Sequence, residues 1–86
     1  MKIFWTRHAE ERQKEWEKKR DITRQEVENL LINPGQVVKG DLDILVAQGK
    51  IRDGLLRVPF VKTESSLRII TVYWTSRVEK YWKEEG

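Results

Sequence analysis

Cysteine is absent from this chain, so no disulfide framework holds it and no thiolate can ligate a metal. A single histidine, His8, excludes the His-rich zinc constellations. No apolar run approaches the roughly 20 residues of a membrane span, and the N-terminus lacks the apolar core of a signal peptide. The expected compartment is therefore the cytoplasm. There is no Gly-rich phosphate loop, no GxSxG elbow and no HExxH pair. The carboxylates show no pattern suited to two-metal work. If the chain is an enzyme, it is expected to act without a metal or an organic cofactor.

What is present fits one small domain over residues 1–86. Charged residues make up 36% and hydrophobic residues 38%, and four Trp, two Tyr and two Phe argue for a packed core rather than disorder. The net charge is +3, unevenly spread. Residues 1–20 carry seven basic and four acidic side chains, residues 21–54 four and six, residues 55–75 three and one, and residues 76–86 three of each. A basic excess at the first element and in the late strands fits a phosphate backbone as partner. It fits a solvated surface equally well.

Patterning orders the chain as two helices, three or four strands and a short helix. The first helix is expected over Arg7 to Lys19, capped by Thr6. On a helical wheel Trp5, Ala9, Arg12 and Trp16 form one stripe with His8 on its shoulder, so the inward face contains a histidine and an arginine. Thr23-Arg24-Gln25-Glu26 is a capping box opening the second helix, with Ile22 and Val27 as a hydrophobic staple. Val27, Leu30 and Leu31 form its apolar face, and Asn33-Pro34-Gly35 ends it. Strands are then expected over Gln36 to Lys39, Asp43 to Gly49 or Ile51, Leu55 to Lys62, and Leu67 to Thr75. Arg52-Asp53-Gly54 is a turn, with Gly54 able to take positive φ. The last strand places Ile69, Thr71 and Tyr73 on one face and Ile70, Val72 and Trp74 on the other, which suggests a central strand. Pro59 cannot donate to a ladder and implies an edge or a bulge. Ser76-Arg77-Val78-Glu79 reads as a second capping box, with Val78, Tyr81 and Trp82 docking on the sheet and Glu84 to Gly86 frayed.

Two groups of residues can carry chemistry. His8 and Arg12, four apart on one helix face, pair an imidazole that like charge keeps neutral with a guanidinium able to fork a phosphate. The same pair also suits a structural network in which Arg12 stacks on Trp5 or Trp16. Arg57, Arg68, Arg77 and Lys80 lie on the late strands and final helix, interleaved with Tyr81. Cations for phosphates and rings for bases are what single-stranded RNA binding uses. A solvated face over core aromatics has the same pattern.

His8-Ala9-Glu10-Glu11-Arg12 resembles the His-Ala-x-x-Arg signature of a family of small prokaryotic proteins. Ile22-Thr23-Arg24-Gln25-Glu26-Val27, Asn33-Pro34-Gly35, Ile69-Ile70-Thr71-Val72-Tyr73 and Lys80-Tyr81-Trp82 are similar to its later segments. That family looks related to the RelE/ParE/BrnT-like toxins, and Arg68 to Tyr81 resembles the closing strand and helix of BrnT-like members. The resemblance implies an α+β fold in which two N-terminal helices pack on a three- to four-stranded antiparallel sheet with a short C-terminal helix. It also implies a metal-independent endoribonuclease acting on RNA and neutralised by a cognate antitoxin protein. In that reading His8 is base or acid, Arg12, Arg57 and Arg77 hold the phosphate, Tyr81 is a reserve proton donor, and Arg68 and Lys80 bind substrate. The alternatives are a non-catalytic protein-binding module, ParE-like or a complex subunit, and an RNA-binding protein without turnover.

Overall fold

A computed structural model describes residues 1–84; the expectation for Glu85 and Gly86 falls outside them. The order is β1 (Lys2–Trp5), α1 (Arg7–Arg20), α2 (Arg24–Ile32), β2 (Gln36–Lys39), β3 (Leu45–Ile51), β4 (Gly54–Lys62), β5 (Ser66–Ile69), β6 (Tyr73–Thr75) and α3 (Val78–Tyr81). The fold is α+β, with three helices and a mixed six-stranded open sheet among the described residues. The sheet runs β1-β5-β4-β3-β2, and β6 also pairs with β4.

The helix starts follow their sequence signals. Thr6 caps α1 by accepting from the Ala9 N–H at 3.1 Å. The Thr23/Glu26 capping box of α2 is formed, and Ile22 and Val27 are both fully buried. Asp21 at positive φ ends α1, and Gln13 donates to the Ile22 carbonyl at 2.9 Å to hold the turn between the helices. The helical layer covers one face of the sheet. Ala9, Ile22, Val27 and Leu31 pack there with Ala47, Leu56, Val58, Phe60, Ile69 and Val72.

Several expectations are corrected. The sheet has six strands, not three or four, and is not purely antiparallel, because β1 pairs with β5 in parallel. Lys2–Trp5 is only four residues long, and Trp5 fits the α1 stripe equally well, which hid this strand. The central strand is β4 rather than Leu67–Thr75, which is split into β5 and β6. Phe60 pairs with Ile69 and Arg57 with Tyr73, so Val58 and Pro59 face three residues, Ile70 to Val72. That extra residue is a bulge. Pro59 sits opposite it: its carbonyl accepts from the Ile70 N–H at 2.9 Å, and its missing donor falls where the ladder is already interrupted. The bulge also changes which side chains share a face. Ile69 and Trp74 stand on the helix side, opposite Phe60 and Leu56, and Tyr73 stands with Arg57 on the other.

The β3–β4 hairpin has a two-residue loop in which Arg52 and Asp53, not Gly54, take positive φ. This is the type I′ geometry that matches strand twist. Gly54 is required for space instead, since a Cβ there would run into the Trp74 ring and the Thr75 carbonyl. Finally, α3 is a single turn whose N-cap is Arg77, with no side-chain capping bond, so the Ser76 capping box does not form.

Candidate functional site

The inward stripe of α1 is turned from where the wheel placed it. Ala9, Gln13 and Trp16 face the sheet, and the Arg20 guanidinium stacks on Trp74 at 4.3 Å from the ring centroid. A stripe centred on Gln13 leaves Arg12 at its margin and His8 beyond it. His8 is exposed, and Arg12 is exposed and pairs with Glu15 at 2.9 Å. The expectation that both point inward is therefore overturned. They belong to the helical layer, on the side of the sheet away from Arg57.

The face turned away from α1 and α2 holds a different cluster. Along β4, Leu55, Arg57, Pro59 and Val61 alternate with the core residues Leu56, Val58 and Phe60, and Leu55 is itself fully buried. Arg57 registers with Gln48 on β3 and Tyr73 on β6. Its Nε donates to Gln48 Oε1 at 2.9 Å and its Nη1 to the Tyr73 hydroxyl. The Tyr81 ring lies over the guanidinium, 4.1 Å from centroid to Cζ, and Tyr73 meets Tyr81 edge-on at 6.4 Å. Gln48 is fully buried, and its Nε2 donates to Gln36 Oε1 at 2.9 Å and to the Tyr81 carbonyl at 3.0 Å. Gln36 in turn accepts from the Lys83 N–H at 3.0 Å and donates to the Lys83 carbonyl. Two glutamines thus tie the segment after α3 to the sheet and keep Tyr81 over Arg57.

Electrostatically the cluster is one-sided. Among the described residues no carboxylate pairs with Arg57, and its Nη2 donates to no protein acceptor. Burial raises the Tyr73 phenol above its ordinary range, partly offset by Arg57, so the phenol is protonated at neutral pH. The bias extends through the sheet. The six strands contain Lys2, Lys39, Lys50, Arg57, Lys62 and Arg68 and not one aspartate or glutamate. Register places Lys2, Lys50, Arg57 and Arg68 on the open face.

Of the residues picked out by sequence, the structure brings together Arg57, Tyr81 and Lys80, whose Nζ lies 5.3 Å from the Tyr81 centroid. Arg68 is exposed on the same face, two strands from β3, and Arg77 is exposed at the start of α3. Tyr73 and Gln48 were missed. The bulge conceals Tyr73 from simple alternation, whereas Gln48, a polar residue inside an apolar strand, was a usable signal because buried amides need partners. No three His, Asp or Glu side chains gather as metal ligands would among the described residues.

Residues 5–74 match a family described as a domain of unknown function, DUF4258. The chain belongs to this family. The DUF4258 match includes Gln48, Arg57 and Tyr73 and stops before Lys80 and Tyr81. No curated protein and no solved structure matches the chain. No helix among the described residues of this DUF4258 chain is long and apolar enough to cross a membrane.

Proposed function

We propose that the open face of the sheet binds RNA and that the protein cleaves it there without a metal, as the toxin of a toxin–antitoxin pair. The relation to RelE/ParE/BrnT-like toxins, and the RelE-like form of the fold, belong to the same proposal. The observation that carries it is Arg57: a half-buried guanidinium with no carboxylate partner among the described residues, between two tyrosine rings, on a sheet whose strands carry only basic charge. Burying a cation is costly without compensation, and a bound phosphate supplies the missing charge through the free edge of the fork.

The chemistry follows from the same groups. Arg57 stabilises the extra negative charge of the phosphorane. Tyr73, held protonated by burial, is placed to protonate the leaving 5′-oxygen, with Tyr81 in reserve. His8 and Arg12 take no part, since they lie across the sheet. The cluster of Gln48, Arg57, Tyr73 and Tyr81 contains no carboxylate and no imidazole to act as base, so the 2′-OH proton passes to hydroxide. Cleavage then speeds up as pH rises, until Tyr73 ionises.

The test is binding and cleavage of single-stranded RNA at about 50 and 200 mM salt, the range over which several phosphate contacts lose most of their affinity. The expected result is tight binding at the lower salt, steep loss at the higher, and loss of both binding and cleavage in Arg57→Gln with the fold intact. Wild type that fails to bind at 50 mM sinks the reading. Binding without cleavage leaves an RNA-binding protein without turnover.

A second reading, a protein-binding module, draws on a different place. An apolar cleft of about 530 Å³ on the helix side is lined by Met1, Ile3, Ile32, Val37, Phe60 and Leu67, with Met1, Ile32 and Val37 exposed. Apolar surface of this kind marks interaction sites. It is a seat for the antitoxin in the first reading and the working surface in the second.

A further inference from the structure

We infer that Phe4 and Arg68 form a second station on the open face, where a base of single-stranded RNA stacks while the phosphate of a neighbouring nucleotide sits on Arg57. The inference rests on the RNA reading above and adds to it the strand state of the substrate and a residue that reads it.

Three observations lead there. First, β1 lies at the sheet edge in parallel register with β5, so that Phe4 stands beside Arg68 and on its face. Ile3 and Trp5, on either side of Phe4, turn toward the helices, where both pack against the core and the Trp5 indole N–H donates to Glu28 at 2.7 Å. Second, Phe4 is 53% exposed. The other tryptophans of the helical face stack with cations and donate their N–H groups to carbonyls, Trp16 to Val72 at 3.1 Å and Trp74 to Ile51 at 2.9 Å. Phe4 has none of these roles, and packing does not require a ring at this position. Third, the strand positions around it carry no carboxylate, and Lys2, Ser66 and Arg68 share its face. An exposed ring among cations is the arrangement that holds single-stranded nucleic acid: the ring stacks on a base whatever its identity, and the cations follow the backbone.

Spacing decides the length of the ligand. Arg68 registers with Val61, four residues along β4 from Arg57. At about 3.3 Å per residue that is roughly 13 Å along the strand, with two further inter-strand steps of about 4.8 Å from β4 through β5 to β1. One nucleotide cannot span from its phosphate on Arg57 to its base on Phe4, so the ligand is an oligonucleotide. In a duplex the base faces are already stacked on their neighbours and closed to Phe4, so the strand must be single.

The experiment uses the full chain and a labelled ten-nucleotide RNA, single-stranded or annealed to its complement, with binding read by fluorescence anisotropy at about 50 mM salt. Phe4→Ala is expected to weaken single-strand binding by about tenfold, the scale of one lost base stack. Phe4→Trp keeps the wild-type affinity. Phe4→Leu, which retains apolar bulk and cannot disturb the fold by leaving a hole, loses as much as Phe4→Ala. Wild type binds the duplex more weakly, and Phe4→Ala does not change that value. Phe4→Leu binding like wild type, or Phe4→Ala weakening duplex and single strand equally, overturns the stacking role. If Arg57→Gln loses binding while Phe4→Ala does not, this inference fails and the RNA reading stands. If wild type does not bind at all, both fall.

Discussion

Toward α1 and α2 the sheet presents Ala47, Leu56, Val58, Phe60 and Ile69; away from them the same strands present Gln48, Arg57, Arg68 and Tyr73. The two faces differ by one residue of register along β4, so a slip of one position would exchange them. The covered face is apolar, and its tryptophan N–H groups find oxygen acceptors on the carbonyls of Val72 and Ile51 and on the Glu28 carboxylate. Stability alone explains it. The open face holds a guanidinium whose Nη2 has no acceptor among the described residues, fixed in place by a buried glutamine that has no bonding capacity left on its amide nitrogen. Packing does not ask for that arrangement; in the RNA reading proposed above, a bound phosphate completes it. The lesson is that the helix side is apolar throughout, whereas the other side combines buried apolar residues, Val46 and Leu55, with a charge that no carboxylate among the described residues pairs.

The largest expected effect tests where the bulge divides the faces. Ile69 is fully buried in the covered core, whereas its neighbour Ile70 is half-buried and lies outside that cluster. Ile69→Asp buries an unpaired carboxylate and should abolish folding, a loss on the order of 4 kcal/mol or more. Ile70→Asp should leave a folded protein with a lowered melting temperature. Equal melts for the two variants by circular dichroism would remove the bulge from the account, because regular alternation gives no reason to rank them this way.

Much of this division was legible beforehand. Both helix starts and the second helix's end carry local chemistry, at Thr6, Thr23, Glu26 and Asn33-Pro34, and local chemistry reads directly from sequence. Leu56, Val58 and Phe60 alternate cleanly, so the covered side of β4 was legible too. The bulge was not, although Pro59 announced a disturbance nearby: nothing local says which strand takes the extra residue. With the bulge went the assignment of Tyr73, and with it the site's second ring. Strand β1 was illegible because a four-residue strand gains its meaning only from pairing with a partner more than sixty residues away. His8 and Arg12 misled because a wheel gives relative angles, and the true centre of the buried stripe is set by a polar residue, Gln13, that hydropathy ranks as outward-facing.

A middle effect sharpens the account of the covered side. Gly54 lies in line with Leu56 and Val58 along β4, and a methyl group there meets the Trp74 ring and the Thr75 carbonyl. Gly54→Ala should therefore destabilise by about 1–3 kcal/mol, the range for overpacking a filled site. Backbone strain is not the cause, since Gly54 does not take positive φ. Denaturant melts can check this: a variant as stable as wild type would mean that β6 yields, and that Trp74 is not a fixed part of the covered face.

The smallest effect asks whether charge contributes to the covered side at all. Arg52 at the tip of the β3–β4 hairpin reaches Glu26 of α2 with two bonds, Nη1 to Oε2 at 2.8 Å and Nη2 to Oε1 at 3.0 Å, and also donates to the Asp21 carbonyl at 3.1 Å. The hydrogen bond from Arg52 holds the Glu26 carboxyl below its ordinary value of 4.5, with a lesser contribution from the capping bond to Thr23. A carboxyl with a lowered folded pKa adds stability that is complete above its unfolded pKa and disappears as pH falls through the folded one. Glu26→Gln isolates the charge, because glutamine can still close the capping box. The stability difference between wild type and Glu26→Gln should thus be constant near neutral pH, begin to shrink as pH drops below about 4.5, and vanish at lower pH. It should also shrink with added salt, because both partners are solvent-accessible. A difference that persists unchanged into acid would assign the contribution to the bond geometry rather than to the charge, and would leave the covered face held by packing alone.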